Sequence, residues 1–186
     1  MKMREATRAG IMRAARRIAT RKGSTHLSLR SVALEAGFAP AALYVYFRNK
    51  DELMLALATE DLAGIARQVQ ATGRRDGKAI GPRSAASAVF AFLSKTETLA
   101  AAASALNAQA KSRAARLFNG RLIAALAALS KATGTPAESR EGQLDVLLMA
   151  ATLAGLAVLA RTGRLDVLGF TPDEVLARLP QLAGRT

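Results

Sequence analysis

An all-α fold is predicted by three features of the sequence. The 186 residues are 51% hydrophobic but only 4% aromatic and rich in Ala and Leu, a composition that favours helices over sheets. Apolar residues return at three- and four-residue steps along the long segments. Helix starts at Ser28, Asn49 and Thr171, and stops at Gly23, Gly37 and Gly134, fall at the ends of those segments.

Residues 4–22 form the first predicted helix, with Ile11, Ala14, Ala15 and Ile18 as its apolar stripe and Arg13, Arg16 and Arg17 on the opposite side. The stripe is narrow, so this helix is expected to cross the next two and complete a three-helix core with Leu27, Leu29 and Phe47. Ser28 caps a second helix whose inward residues are Leu29, Val32, Ala33 and Ala36, and Gly37 ends it. Pro40 suits the first turn of a third helix, where its missing N–H costs nothing. Leu43 and Phe47, four apart, face inward there, and Tyr44 and Tyr46 fall away from that face. A tight two-helix unit with outward tyrosines in a basic setting has the shape that enters a DNA major groove.

Asn49, with Glu52 in capping-box position, opens a fourth helix carrying Leu55, Ala58, Leu62, Ile65 and Val69 to about Ala71. Gly73, Gly77, Gly81 and Pro82 punctuate a basic loop. Helix resumes at Arg83 with Val89, Phe90 and Leu93 on one face, and an interruption is expected between Ser94 and Glu97. Residues 98–115 hold nine alanines in eighteen positions, which form helix with little side-chain volume; they either pack helices closely or leave a cavity between them. Leu117–Leu129 continues as helix with Phe118, Leu122 and Leu126, ended by Gly134 and Pro136. Glu141–Arg161 is apolar all round, with Leu144, Leu147, Leu148, Ala151 and Val158 on one side and Val146, Met149, Leu153 and Leu156 on the other. Such a helix must be covered all round, by a second subunit or by the core of a monomer. Leu153 and Leu156 are the positions where a charge is expected to disturb a dimer. Thr171-Pro172-Asp173-Glu174 starts a last helix that carries Val175, Leu176 and Leu179 and yields at Pro180.

The charge is unevenly spread. Residues 1–50 hold eleven Lys and Arg against two acids, whereas residues 51–186 hold sixteen against twelve. That asymmetry implies a polyanionic partner for the N-terminal part. The absence of cysteine excludes disulfides, thiolate metal sites and a catalytic thiol. His26, the sole histidine, lies in a loop away from any acidic cluster, and no phosphate-binding glycine loop, metalloprotease motif or nucleophile elbow occurs. An enzyme is therefore not expected, and no cofactor is implied. No apolar stretch follows the basic start, and the longest uncharged run, Val146–Ala160, spans roughly 22 Å as a helix against a hydrocarbon layer of about 30 Å. The expected location is the cytoplasm, without a membrane span.

The run L-x-x-V-A-x-x-A-G-F-x-x-x-x-L-Y-x-Y-F-x-N-K-x-E-L, from Leu29 to Leu53, resembles the DNA-binding segment of TetR-type transcriptional regulators. The resemblance covers about the first third of the chain. Two departures stand out: Ala39 occupies the cap of the third helix, where Ser or Thr is common, and Ala41-Ala42 precedes Leu43-Tyr44, where Gly-Thr is common. The missing hydroxyls remove contacts to phosphate or base.

The resemblance implies a helix-turn-helix DNA-binding domain at residues 1–50, with its motif at about 28–47, and a helical ligand-binding and dimerisation domain at residues 51–186. Its partners would be double-stranded DNA, a small-molecule effector and a second copy of the chain joined through about 141–161 and 172–182. The expected DNA surface is Ser28, Arg30, Ala39, Pro40, Ala41, Tyr44, Tyr46 and Lys50. Arg30, Pro40, Ala41 and Tyr44 would face base edges; Ser28, Tyr46 and Lys50 would hold phosphates. The expected effector lining is Leu62, Ile65, Val69, Phe90, Leu93, Asn107, Phe118 and Met149, which suits an apolar molecule. The function so implied is a repressor released from a palindromic operator. A sequence-tolerant DNA-binding protein without an effector is the alternative, favoured by the high charge and by Ala41 and Ala42.

Overall fold

The computed structural model describes residues 2–72, 82–135 and 137–183, and these residues form helices without a strand. In chain order the helices are α1 (Lys2–Lys22), a 3-10 turn (Ser24–His26), α2 (Leu29–Ala36), α3 (Pro40–Leu43), α4 (Lys50–Thr72), α5 (Pro82–Ser94), α6 (Thr98–Ala108), α7 (Arg113–Thr133), α8 (Arg140–Arg161), α9 (Arg164–Val167) and α10 (Pro172–Ala183). The glycine-punctuated loop expected at Gly73, Gly77 and Gly81, and the stop at Pro136, lie outside the described residues. Two compact units are present, one of Met1–Asp61 with Thr96–Gly120 and one of Leu62–Lys95 with Arg121–Thr186.

In the first unit α1 packs on α2 and on the 3-10 turn, and α2 packs on α3. The residues predicted to meet are buried, namely Ile11, Ala14, Ala15 and Ile18 of α1, Leu27, Leu29, Val32 and Ala33, then Leu43 and Phe47, while Ala36 at the end of the α2 stripe is half-buried. Each large apolar side chain taken out of water here contributes about 1.5 to 3 kcal/mol. Glu35 of α2 accepts from Arg17 Nε at 2.8 Å and from Arg21 at 2.6 Å, which pins α2 to the outer side of α1.

Arg16 departs from the expected solvent face. Its guanidinium reaches Asp61 of α4, and the other carboxylate oxygen of Asp61 accepts from the Thr98 hydroxyl at the start of α6. Asp61 and Thr98 are both buried, and a carboxylate so placed is tolerable only because donors surround it. A second tie joins the same two regions, since the Ser24 amide donates to Glu97 at 3.3 Å.

In the second unit α5 packs against α8, α10 lies on both, and α9 packs on α8. The core takes Leu62, Ile65 and Val69 from α4, Val89 from α5, Val146, Leu153, Leu156 and Ala157 from α8, and Leu176 and Leu179 from α10. Leu153, at 0% exposure, and Leu156, at 4%, therefore face this core and are not the positions that report on a dimer. The uncovered apolar side of α8 is Leu144, Leu147, Leu148, Val158 and Leu159. By length and composition α8 passes for a membrane span, a property it shares with core helices of globular proteins. From α5, the ring of Phe92 occupies the space where a Cβ at Gly64 would stand, 2.6 Å from its Cζ, so only glycine lets the ring sit so close to α4.

Several boundaries differ from expectation. The alanine-rich region is broken between α6 and α7 at residues 109–112, where Gln109 closes α6 and the Ser112 hydroxyl accepts from the Ala115 amide. The last helix starts as predicted, with the Thr171 amide donating to Glu174 at 2.7 Å, but it runs through Pro180 to Ala183. A proline near a helix end removes one donor and need not stop the helix.

Two outcomes follow. Asp61→Ala should cost about 1.5 to 3 kcal/mol of unfolding free energy, read from urea midpoints, because it strands the Thr98 hydroxyl and frees Arg16. The paired arginines, Arg17 first and then Arg21, hold the Glu35 carboxyl below its ordinary 4.5. A depressed carboxyl stabilises the fold above its ordinary value and loses that contribution as pH falls through the lower folded value. The stability gap between wild type and Glu35→Gln should thus be full at neutral pH and shrink on acidification.

Candidate nucleic-acid interface

The surface expected to meet DNA is built on two local devices. Ser28 adopts an extended conformation and its hydroxyl accepts from the Ser31 amide at 3.0 Å, while the Ser28 amide donates to the Ser31 hydroxyl at 3.0 Å. This closed box fixes the start of α2 and occupies the Ser28 hydroxyl, which remains at the surface. At the other end Gly37 has φ 76°, a left-handed stop whose amide donates to Ala33 and Leu34. The chain then turns sharply through exposed Phe38 and Ala39 into α3.

Ala39 makes no side-chain cap, as its methyl group requires, and Pro40 stands in the first turn. The predicted third helix is shorter than expected: α3 is one turn, followed by a turn at Tyr44–Tyr46 in which the Tyr46 and Phe47 amides both donate to the Leu43 carbonyl at 2.9 Å. The inward pair is retained, with Leu43 and Phe47 buried, so the backbone stays close to helical where it matters for packing. Arg30, Ala39, Pro40, Ala41 and Tyr44 are exposed, whereas Tyr46 is half-buried. Lys50 is exposed, but its Nζ donates to the Thr25 carbonyl at 3.2 Å and so ties the start of α4 to the 3-10 turn. Asn49 caps the Glu52 amide at 2.9 Å, and Glu52 reaches back to the Arg48 amide at 2.8 Å.

Sequence reasoning overlooked Leu34 and Val45, which are 68% and 70% exposed beside these residues, and the exposed Arg48. Their signal was negative: none lies on an apolar stripe. It also treated the arginines of α1 as one class. Arg16, Arg17 and Arg21 are neutralised by Asp61, Glu60 and Glu35. Among the described residues no carboxylate lies at ion-pair distance from Arg4, Arg8, Arg13, Arg30 or Arg48. The guanidinium of Arg8 lies over the Phe47 ring, 5.1 Å from its centroid. Arg4, Arg8 and Arg13 of α1, Arg30 of α2 and Arg48 after the turn at Tyr44–Tyr46 are thus exposed cations left outside the structural pairs.

The expected effector residues are divided between the units. Leu62, Ile65, Val69, Phe90, Leu93 and Met149 belong to the second, while Asn107 and Phe118 belong to the first. Leu62, Ile65, Val69 and Phe118 are buried, Phe90, Leu93 and Met149 half-buried, and Asn107 exposed. Among the described residues no cluster of three His, Cys, Asp or Glu side chains could hold a metal ion.

Comparison with known proteins agrees with this geometry. Residues 11–57 match the family model of bacterial regulatory proteins, tetR family. Over 72 residues the chain is 43% identical to the HTH-type nicotine-responsive transcriptional repressor HdnoR of Paenarthrobacter nicotinovorans, a match that spans 38% of this chain and 37% of that protein. A TetR transcriptional regulator from Rhodococcus sp. RHA1 shares the fold with a TM-score of 0.68 at 19% identity, over 99% of this chain and 98% of that one. The transcriptional regulator FadR from Bacillus subtilis, crystallised with stearoyl-CoA, does so with a TM-score of 0.64 at 16% identity, over 95% and 97%. At such identities the structural likeness is one of fold. The family segment lies on the surface just described, and the chain as a whole is similar to such regulators in its all-helical fold.

Proposed function

We propose that this protein is a homodimeric transcriptional repressor that binds a palindromic operator through residues 1–50 and is released by a small apolar effector bound within residues 51–186. The observation that carries the reading is the exposed surface of α2, α3 and the turn at Tyr44–Tyr46, the recognition turn on this reading, whose backbone is fixed from behind by Leu43 and Phe47 while Arg30, Pro40, Ala41 and Tyr44 face solvent. Arg30 projects opposite the buried stripe of α2, and a guanidinium can grip guanine through two hydrogen bonds. Ser28, Tyr46 and Lys50 serve the backbone, Lys50 through the ammonium donors left beyond its bond to the Thr25 carbonyl.

Dimerisation supplies the second reading head. The uncovered leucines of α8 are a reason for a second copy to lie there, because a soluble chain rarely leaves such a stripe open. The effector reading is supported by the buried, apolar C-terminal half of α4 and by the nicotine-responsive relative and the stearoyl-CoA-bound neighbour. Because α4 is one continuous helix from Lys50 to Thr72, a ligand against Leu62, Ile65 or Val69 can tilt it and respace the heads. A preference of about 1 to 3 kcal/mol for the misaligned form shifts operator affinity by one or two decades. Such a repressor works in the cytoplasm.

Arg30→Ala should relax preference at one base pair of each half-site and cost about 1 to 3 kcal/mol, measured by binding selection from a randomised duplex pool. Unchanged preference at every position removes the base-reading role. Leu147→Glu with Leu148→Glu should convert a dimer into folded monomers in sedimentation and weaken operator binding without touching the DNA surface. A wild-type monomer at micromolar concentration contradicts the dimeric arrangement.

A further inference from the structure

We propose that Arg8, with Arg4 one turn before it, forms a phosphate-holding element outside the helix-turn-helix that grips the duplex backbone beside the recognition turn. The inference rests on the DNA-binding reading above and extends the contact surface onto α1. Two observations carry it.

The first is position. Arg8 lies over the ring of Phe47, the residue that closes the turn at Tyr44–Tyr46, so α1 delivers a cation to the flank of that turn. The attraction between a guanidinium and a ring face orients the group without a carboxylate partner, so its charge is not neutralised and its fork of N–H donors remains available. A guanidinium held in this way matches the geometry of a phosphate.

The second is the division of charge along α1. Its last two turns pair Arg16, Arg17 and Arg21 with Asp61, Glu60 and Glu35, which hold the fold together. Arg4 and Arg8 are exposed and make no ion pair among the described residues, not even with Glu5, the nearest acid in sequence. They also stand four residues apart, so they share one side of the helix. Had Arg8 served only to shield Phe47, an uncharged arm would do as well; a fixed, unneutralised cation beside a surface that meets a polyanion has a further use.

The test uses the full chain and a labelled random-sequence duplex, with affinity measured across a salt series. Arg8→Gln and Arg8→Met, the latter keeping an apolar arm on the ring, should each lower the slope of log affinity against log salt by about 0.9 per protomer. They should weaken all sequences alike and leave the base preferences read by Arg30 intact. Arg8→Lys should retain the wild-type slope, and Arg4→Gln should lower it in the same sense as Arg8→Gln. If folded Arg8→Met or Arg8→Gln protein keeps the wild-type slope, Arg8 only packs against Phe47 and the proposal is overturned. If the wild-type protein itself has no salt-dependent affinity for duplex DNA, the DNA-binding reading fails first, and that result is distinct from the former.

Discussion

A single buried carboxylate sets the architecture of the first unit. Asp61 is drawn out of water on α4, and such a group is retained only where donors replace its lost hydration. Arg16 from α1 and Thr98 from α6 supply them, so three helices separated in sequence meet at one point. Glu97, next to Thr98, takes the amide of Ser24 and ties the 3-10 turn to the same place. This explains why residues 96–120 belong with the N-terminal helices although α5 precedes them in the chain. The first unit accordingly takes in more than α1, α2 and α3.

Positive charge in this unit is used in two ways. Arg16, Arg17 and Arg21 of α1 are consumed by carboxylates, and what they contribute is geometry: Glu35 fixes α2 against α1, and Asp61 fixes α4 and α6. Arg4, Arg8, Arg13, Arg30 and Arg48 are exposed and make no such pair among the described residues. A basic composition is therefore a poor guide to binding until the structural pairs are subtracted.

The second unit shows the opposite economy of apolar groups. One side of α8 is covered by α5 and α10, with Val146, Leu153 and Leu156 inside, and the other side keeps Leu144, Leu147 and Leu148 in solvent. The close approach of Phe92 to Gly64 uses the absence of a side chain to seat a ring against α4. Both features follow from helix packing, in which small residues allow close approach and apolar stripes seek cover.

Much of this was legible in the sequence. Periodicity and caps located nearly every long helix, because a helix is decided by local spacing and by side chains such as Ser28, Asn49 and Thr171 that satisfy its own free amides. The buried stripes of α1 and α2 and the inward pair Leu43 and Phe47 were equally local. The short α3, the passage of α10 through Pro180 and the one-turn α9 were not, since each depends on packing around the element. Nor could spacing tell which side of α8 is covered, because both sides are apolar. Arg16 was assigned to solvent because its partner lies forty-five residues away, and Arg8 had no visible role because Phe47 reaches it only through the fold. Local hydrogen bonding and hydrophobic period are written along the chain; pairing across helices depends on side chains brought together from distant positions, and only the tertiary structure decides it.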